Sequence, residues 1–131
     1  MPVLEEMATP SNRPALWLPN LLLSQVIDDP ALSVGYGEEG EPAPAEATRR
    51  AAKNLLAEIP SRLLGKPEIS PFYGEIHVCW TRGTKQVILM CFPDRSSLVH
   101  HYLSVPNSAG EHGIEIASGE SLLRWLRWLR S

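Results

Sequence analysis

Cysteine is scarce in this sequence, and so are long apolar runs and the motifs of common enzymes. The two cysteines, Cys79 and Cys91, have no CxxC spacing, which excludes a disulfide scaffold and a thiolate metal site. The longest apolar run, residues 87–92, is far shorter than the ~20 residues that span a bilayer. No GxSxG, HExxH, P-loop or GxGxxG motif is present. We therefore expect a protein that is not an enzyme and that uses no cofactor and no metal.

Acidic residues are concentrated in the first part of the chain, although the net charge is only -3. Residues 1–48 carry eight acids and one base, whereas residues 49–131 carry eleven bases and seven acids. Three of the acids, Glu38, Glu39 and Glu41, lie in a Gly- and Pro-containing segment typical of a flexible linker. Such an acidic region attracts basic surfaces.

The beginning of the sequence has neither the basic start nor the apolar stretch of a secretion signal. We therefore expect a cytoplasmic protein.

Proline and charge content divide the chain into an arm and a domain. Residues 1–44 are predicted to form an acidic, Pro-rich arm and linker, and residues 45–131 an α+β domain. The arm contains a short apolar segment at 16–27 that is typical of a helix. Two alternatives remain open for this segment, because it can fold back onto the domain or become ordered on a partner.

The spacing of apolar residues predicts the elements of the domain. Intervals of three and four predict helices over residues 45–59 and 122–130, the second with Ser118 as a candidate N-cap. A period of two predicts strands over four segments: 73–81, 84–92, 97–105 and, more weakly, 113–117. The predicted fold class is α+β, with a three- to four-stranded antiparallel meander flanked by an N-terminal and a C-terminal helix. Because the middle strand is apolar on both faces, we expect the two helices to cover both faces of the sheet.

Four histidines raise the question of a metal or general-base site. If Arg82 and Gly83 form a two-residue turn, and if Phe92 and Ser97 pair across the next turn, then His77, Ile88 and His101 fall in one row across the three strands. The two histidines are then about 9.5 Å apart, which is too wide for a shared ion. This spacing indicates a structural or surface role.

The C-terminal helix carries both tryptophan and arginine. The apolar side chains of this helix lie along one arc of its surface, and Trp128 makes that arc wider than one sheet face can cover. We therefore expect Trp128 to make a further contact. Arg124 and Arg127 lie on the other side, and arginine beside tryptophan is also typical of stacking on unpaired bases. The candidate partner-binding residues are those of the apolar arm segment, the acidic linker and this helix: Trp17, Leu18, Leu22, Val26, Glu38, Glu39, Glu41, Arg124, Arg127 and Trp128.

Residues 66–92 resemble a pattern found in many small uncharacterised bacterial proteins. The pattern consists of a Pro-x-Ile-Ser-Pro approach followed by a Gly-x-Ile-x-Val-x-Trp strand, and it falls on Pro67, Ile69, Ser70, Pro71, Gly74, Ile76, Val78 and Trp80. The resemblance extends through Tyr102 and covers about a third of the chain. It implies the strand meander and an accessory role in toxin–antitoxin or defence operons.

These features favour a non-catalytic protein-interaction module, antitoxin-like or an accessory subunit of a bacterial operon-encoded system. The expected partner is another protein with a basic surface, and a homo-oligomer is an open alternative. A nucleic-acid-contacting adaptor that uses the Arg/Trp helix is the second hypothesis, and a small enzyme of unknown reaction is the third. No membrane partner is expected.

Overall fold

The computed structural model describes residues 19–29, 43–94 and 96–131. Four helices are present in these ranges: α1 (Pro19–Asp28), α2 (Glu46–Ala57), α3 (Ser61–Leu64) and α4 (Gly119–Leu129). Five strands lie between α3 and α4: β1 (Glu68–Phe72), β2 (Glu75–Arg82), β3 (Lys85–Cys91), β4 (Ser97–Leu103) and β5 (Glu111–Ile116). None of the described helices is long and apolar enough to cross a membrane.

The strands form one antiparallel sheet in the order β1-β2-β3-β4-β5, so the predicted α+β meander is confirmed. The sheet has five strands, and the predicted number of three to four is therefore too small. The additional strand is β1, whose Pro71 argues against a strand in the sequence pattern. Proline is tolerated in this position because β1 is an edge strand. A two-residue turn joins β1 to β2, and both Tyr73 and Gly74 have the positive φ that this hairpin type requires.

The connection between β3 and β4 is one residue shorter than predicted. Cys91 pairs with Ser97, and the Phe92 N–H donates to the Ser96 carbonyl at 2.9 Å, so the connection lies between Phe92 and Ser96. The Asp94 carboxylate accepts a hydrogen bond from the Ser96 N–H at 2.9 Å, which stabilises this tight turn. A shift of one residue turns every side chain of a strand to the opposite face.

This shift corrects the predicted row of histidines. His77 is in register with Met90 and Leu98, and Leu98 lies three residues before His101 in β4. Because side chains alternate along a strand, His77 and His101 lie on opposite faces of the sheet. His100, which pairs with Ile88, shares the face of His77 instead. The turn between β2 and β3 also differs, since Arg82 pairs with Lys85, but this shift of two residues leaves the faces unchanged.

All four described helices contribute to a core on one face of the sheet. Side chains from β2, β3 and β4 meet Ala52 and Leu56 of α2 and Leu122 and Leu126 of α4 in a single buried cluster. In β3, Val87, Leu89 and Cys91 are fully buried, whereas the alternate residues Ile88 and Met90 are only half-buried. The expectation that helices cover both faces is therefore wrong for the described part of the chain. Strand β3 is apolar on both sides because one side packs against the helices, whereas the other side belongs to an apolar sheet face that none of the described helices covers.

Helix α1 packs on the same side, against α2 and α3. Ile27 is completely buried and Leu23 nearly so. The Arg49 guanidinium donates to the Ile27 carbonyl, and Lys53 Nζ lies 2.7 Å from Asp28 Oδ2. The apolar segment at 16–27 thus folds back onto the domain over the part that the structure describes. The boundary between arm and domain at residue 44 remains a prediction.

Helix α4 is fixed at both ends. At its start, Ser118 and Ser121 form a capping box, with the Ser121 N–H donating to Ser118 Oγ at 3.0 Å and the Ser118 N–H to Ser121 Oγ at 2.8 Å. At its end, Lys85 Nζ donates to the Trp128 carbonyl at 2.9 Å and places a positive charge at the negative pole of the helix. The helix is therefore locked onto the sheet through β3.

Candidate functional site

The face of the sheet opposite the helices is the most distinctive surface of the described residues, and we call it the open face. The register places on it one set of mostly apolar and histidine side chains: Phe72, His77, Cys79, Ile88, Met90, Leu98, His100, Tyr102, His112, Ile114 and Ile116. Three of them remain strongly exposed although they are large and apolar, with Phe72 at 50%, Ile114 at 57% and Ile116 at 79%. In the described residues no helix lies over this face.

The centre of the open face is continuous rather than scattered. Met90 lies between His77 and Leu98 in one row, and Ile116 ends that row on β5. The neighbouring row runs through Cys79, Ile88, His100 and Ile114. Directly paired residues in adjacent strands have Cβ atoms about 5 Å apart, so the two rows form one apolar patch across four strands. Contiguous exposed apolar patches are typical of surfaces that contact proteins, membranes or ligands.

Two neighbouring histidines, His100 and His112, lie on the open face. The His100 and His112 rings meet edge to face with centroids 5.6 Å apart. Burial, with the neighbouring His112 as the second cause, lowers the pKa of His100. The buried Nε2 of His100 has no hydrogen-bond partner among the described residues, which also disfavours a second proton on this ring. His100 is therefore neutral at pH 7 and behaves as part of the apolar patch.

His77 lies towards the β1 side of the same face. Its Nε2 is 2.7 Å from Glu75 Oε1, and its ring lies 5.6 Å from the Phe72 ring. The described residues contain no group of three or more His, Cys, Asp or Glu side chains that could hold a metal ion. Through its contacts with Glu75 and Phe72, His77 contributes to the shape of this face.

The two cysteines differ in their surroundings, and both are free thiols. Burial raises the pKa of Cys91, which lies on the helix side of β3, so its thiol is protonated and unreactive. Cys79 is half-buried on the open face, with its Sγ 3.8 Å from Thr81 Oγ1.

A second cluster of aromatic residues lies on the helix side, between α4 and the sheet. The Trp125 indole stacks on His101, with ring centroids 3.5 Å apart and an angle of 11° between the planes. Its Nε1 donates to Glu115 Oε2 at 2.9 Å. Trp128 packs edge to face on both rings, and Lys85 Nζ lies 5.0 Å from its centroid. The further contact expected for Trp128 is therefore made at least in part within the chain.

The residues predicted to bind a partner are distributed over separate elements. Arg124 is exposed and forms an ion pair with Glu115 at 3.1 Å, and Arg127 is exposed. Val26 is 44% exposed on α1, and Leu22 lies in the same helix. Five further residues lie outside the described residues: Trp17, Leu18, Glu38, Glu39 and Glu41.

None of the open-face residues is among the predicted partner-binding residues. Their signal in the sequence is the alternation of His112, Ile114 and Ile116, which predicts a strand but not which of its faces stays exposed. A cleft of about 380 Å³ between α2 and the β4–β5 edge adjoins this face, with Leu98 and Ile116 in its lining. Comparison with protein-family models, with curated proteins and with solved structures finds no match.

Proposed function

We propose that this chain is a non-catalytic protein-interaction module and that the open face is its binding surface. The observation that carries the proposal is the exposure of Ile114 and Ile116, at 57% and 79%, beside the half-buried Ile88, Met90 and Leu98. Complete burial of one such side chain contributes roughly 1.5–3 kcal/mol. A partner that covers this patch therefore gains several kcal/mol from a few residues, as is usual for interaction hot spots.

The role that we propose in the cell follows the resemblance of residues 66–92. We place the module in the cytoplasm as an accessory or antitoxin-like subunit of a bacterial operon-encoded system. The acidic linker residues Glu38, Glu39 and Glu41 retain their predicted role of attracting a basic surface, which increases the rate of encounter more than the final affinity.

The arrangement of α4 supports this proposal over the nucleic-acid adaptor. One face of the Trp125 indole is already occupied by His101. Trp128 is half-buried among Trp125, His101 and Lys85. Arg124 is paired with Glu115, which reduces the positive charge that phosphate binding needs. Stacking on bases would require this cluster to open.

A photo-crosslinking amino acid placed at Ile114 tests the proposal in cells of the native host. The matched control carries the same amino acid at Arg127, which is exposed on the helix side. We expect adducts of the chain with a polypeptide from position 114 and none from position 127, and we expect Ile116→Lys to remove them. The absence of adducts from position 114, or equal adducts from both positions, would contradict the proposal.

A further inference from the structure

We infer that the occupant of the open face is a second copy of this chain, bound face to face in a symmetric dimer. The inference rests on the proposed function and deepens it, because it names the partner of the same surface. Three properties of the described residues support this choice: charge, size and the distribution of exposure.

The first property is the absence of fixed charge at the centre of the patch. Two acidic residues, Glu68 and Glu75, occupy the β1 and β2 positions of the open face, and Glu75 is paired with His77. The centre consists of Ile88, Met90, Leu98 and the neutral His100. A second copy brings an equally uncharged centre, so no unpaired charge is buried there. A strongly basic partner would find no acid to pair with at this centre.

The second property is size. Five strands spaced about 4.8 Å apart, each about six residues long, give a face of about 480 Å² per copy. Two copies bury about 1,000 Å² together, which is the lower limit for a specific interface. Interfaces of this size are typical of weak, transient association, so we expect a concentration-dependent dimer.

The third property is the distribution of exposure across the face. Ile114 and Ile116 are strongly exposed on β5 at one edge, whereas Ile88 and Met90 at the centre are half-buried. In a twofold arrangement, the exposed β5 side chains of each copy cover the central strands of the other. Closed twofold dimers are the commonest form of association between identical chains.

Sedimentation velocity of the purified full chain over a range of concentrations tests the inference. We expect a monomer–dimer equilibrium, and we expect the double variant Ile114→Lys/Ile116→Lys to raise the dissociation constant at least 100-fold. Val105→Lys is the matched control, because Val105 is an exposed aliphatic residue in the connection between β4 and β5, outside the sheet and outside the predicted partner-binding residues. This control must dimerise like the unmodified chain, and circular dichroism must show that all variants are folded.

Photo-crosslinking from position 114 in the purified chain identifies the occupant. An adduct of twice the chain mass supports the inference. A crosslink within one chain, mapped to residues 1–18, would overturn it by showing that the arm covers the face. A monomer at every concentration would also overturn it. If the purified chain is monomeric while position 114 forms adducts with another protein in cells, the inference fails and the proposed function stands. If neither experiment gives an adduct, both fail.

Discussion

The Trp125 indole lies flat on the His101 imidazole and joins helix α4 to strand β4 at a centroid distance of 3.5 Å. Gly113, directly across from His101 on β5, makes this stack possible. A Cβ atom at position 113 would lie 2.6 Å from His101 Cε1, closer than van der Waals contact allows. The absence of a side chain at Gly113 therefore leaves the space that the His101 ring needs for its stack on Trp125.

Gly113→Ala is expected to destabilise the protein by about 1–3 kcal/mol, because the added methyl group pushes His101 away from Trp125. Chemical denaturation followed by tryptophan fluorescence measures this loss. In a His101→Ala background the same substitution should cost much less, since the obstructed ring is gone. An equal cost in both backgrounds would show that the clash with His101 is not the cause.

Ile27→Ala is expected to lower the free energy of unfolding by about 2–5 kcal/mol, because Ile27 is fully buried in the common core. Val26→Ala is the control on the same helix and should change it by less than about 0.5 kcal/mol. Equal small effects for both variants in chemical denaturation would mean that α1 does not belong to the core.

Trp128→Ala is expected to cost about 1–3 kcal/mol of stability, because its half-buried ring contacts Trp125, His101 and Lys85. Dimerisation through the open face should remain unchanged, since this residue lies on the helix side. Sedimentation and denaturation of the same sample separate the two effects. A normal stability with lost association would instead support the predicted partner contact of Trp128.

Stability is expected to fall on acidification below about pH 6.5. Burial lowers the pKa of both His100 and His101 in the folded chain, with smaller contributions from neighbouring histidines and an opposing one from Glu115 on His101. The unfolded chain therefore binds protons first, and stability is complete above the ordinary histidine pKa of about 6.5 and decreases as the pH falls towards the folded pKa. Denaturation at pH 7.5 and 5.5, at concentrations where the chain is monomeric, measures the difference.

His101→Phe keeps an aromatic ring against Trp125 and removes one of these titrating groups, so it should reduce the difference between the two pH values. Combining it with His100→Phe should reduce the difference further. A pH dependence that is identical in the double variant and the unmodified chain would assign the effect to other groups.

Acid is also expected to weaken the proposed dimer. His100 lies at the centre of the open face, and its protonation places a positive charge on each of the two facing surfaces, with Glu68 and Glu75 only at the β1 side. We expect the dissociation constant to rise at least tenfold between pH 7.5 and 5.5. Sedimentation at the two pH values measures it, and His100→Phe should show a smaller rise.

The sequence predicts the meander and the last helix because both depend on local spacing. Leu122, Leu126 and Leu129 recur at helical intervals, and the strand segments are separated by short turns that allow few topologies. Local spacing does not predict strand β1, because Pro71 argues against a strand unless that strand is known to lie at the edge of the sheet.

The candidate site depends on properties that local patterns do not determine. One residue in the loop after Phe92 decides whether His100 or His101 faces the helices. The apolar residues Ile88 and Met90 suggest a covered face, and only the placement of α2 and α4 on the same side shows that this face is open. The open face could therefore not be recognised before the packing of both helices was known.

That the open face binds a second copy of the chain is tested most directly by the solvent accessibility of its methyl groups. In the full chain with isotopically labelled isoleucine and valine methyls, a soluble spin probe broadens the NMR signals of exposed groups. As the protein concentration rises through the dimer range, Ile114 and Ile116 should become protected while Val105, exposed between β4 and β5, stays accessible. Protection that does not change with concentration, or that changes equally for Val105, would contradict the assignment of this face as the dimer surface.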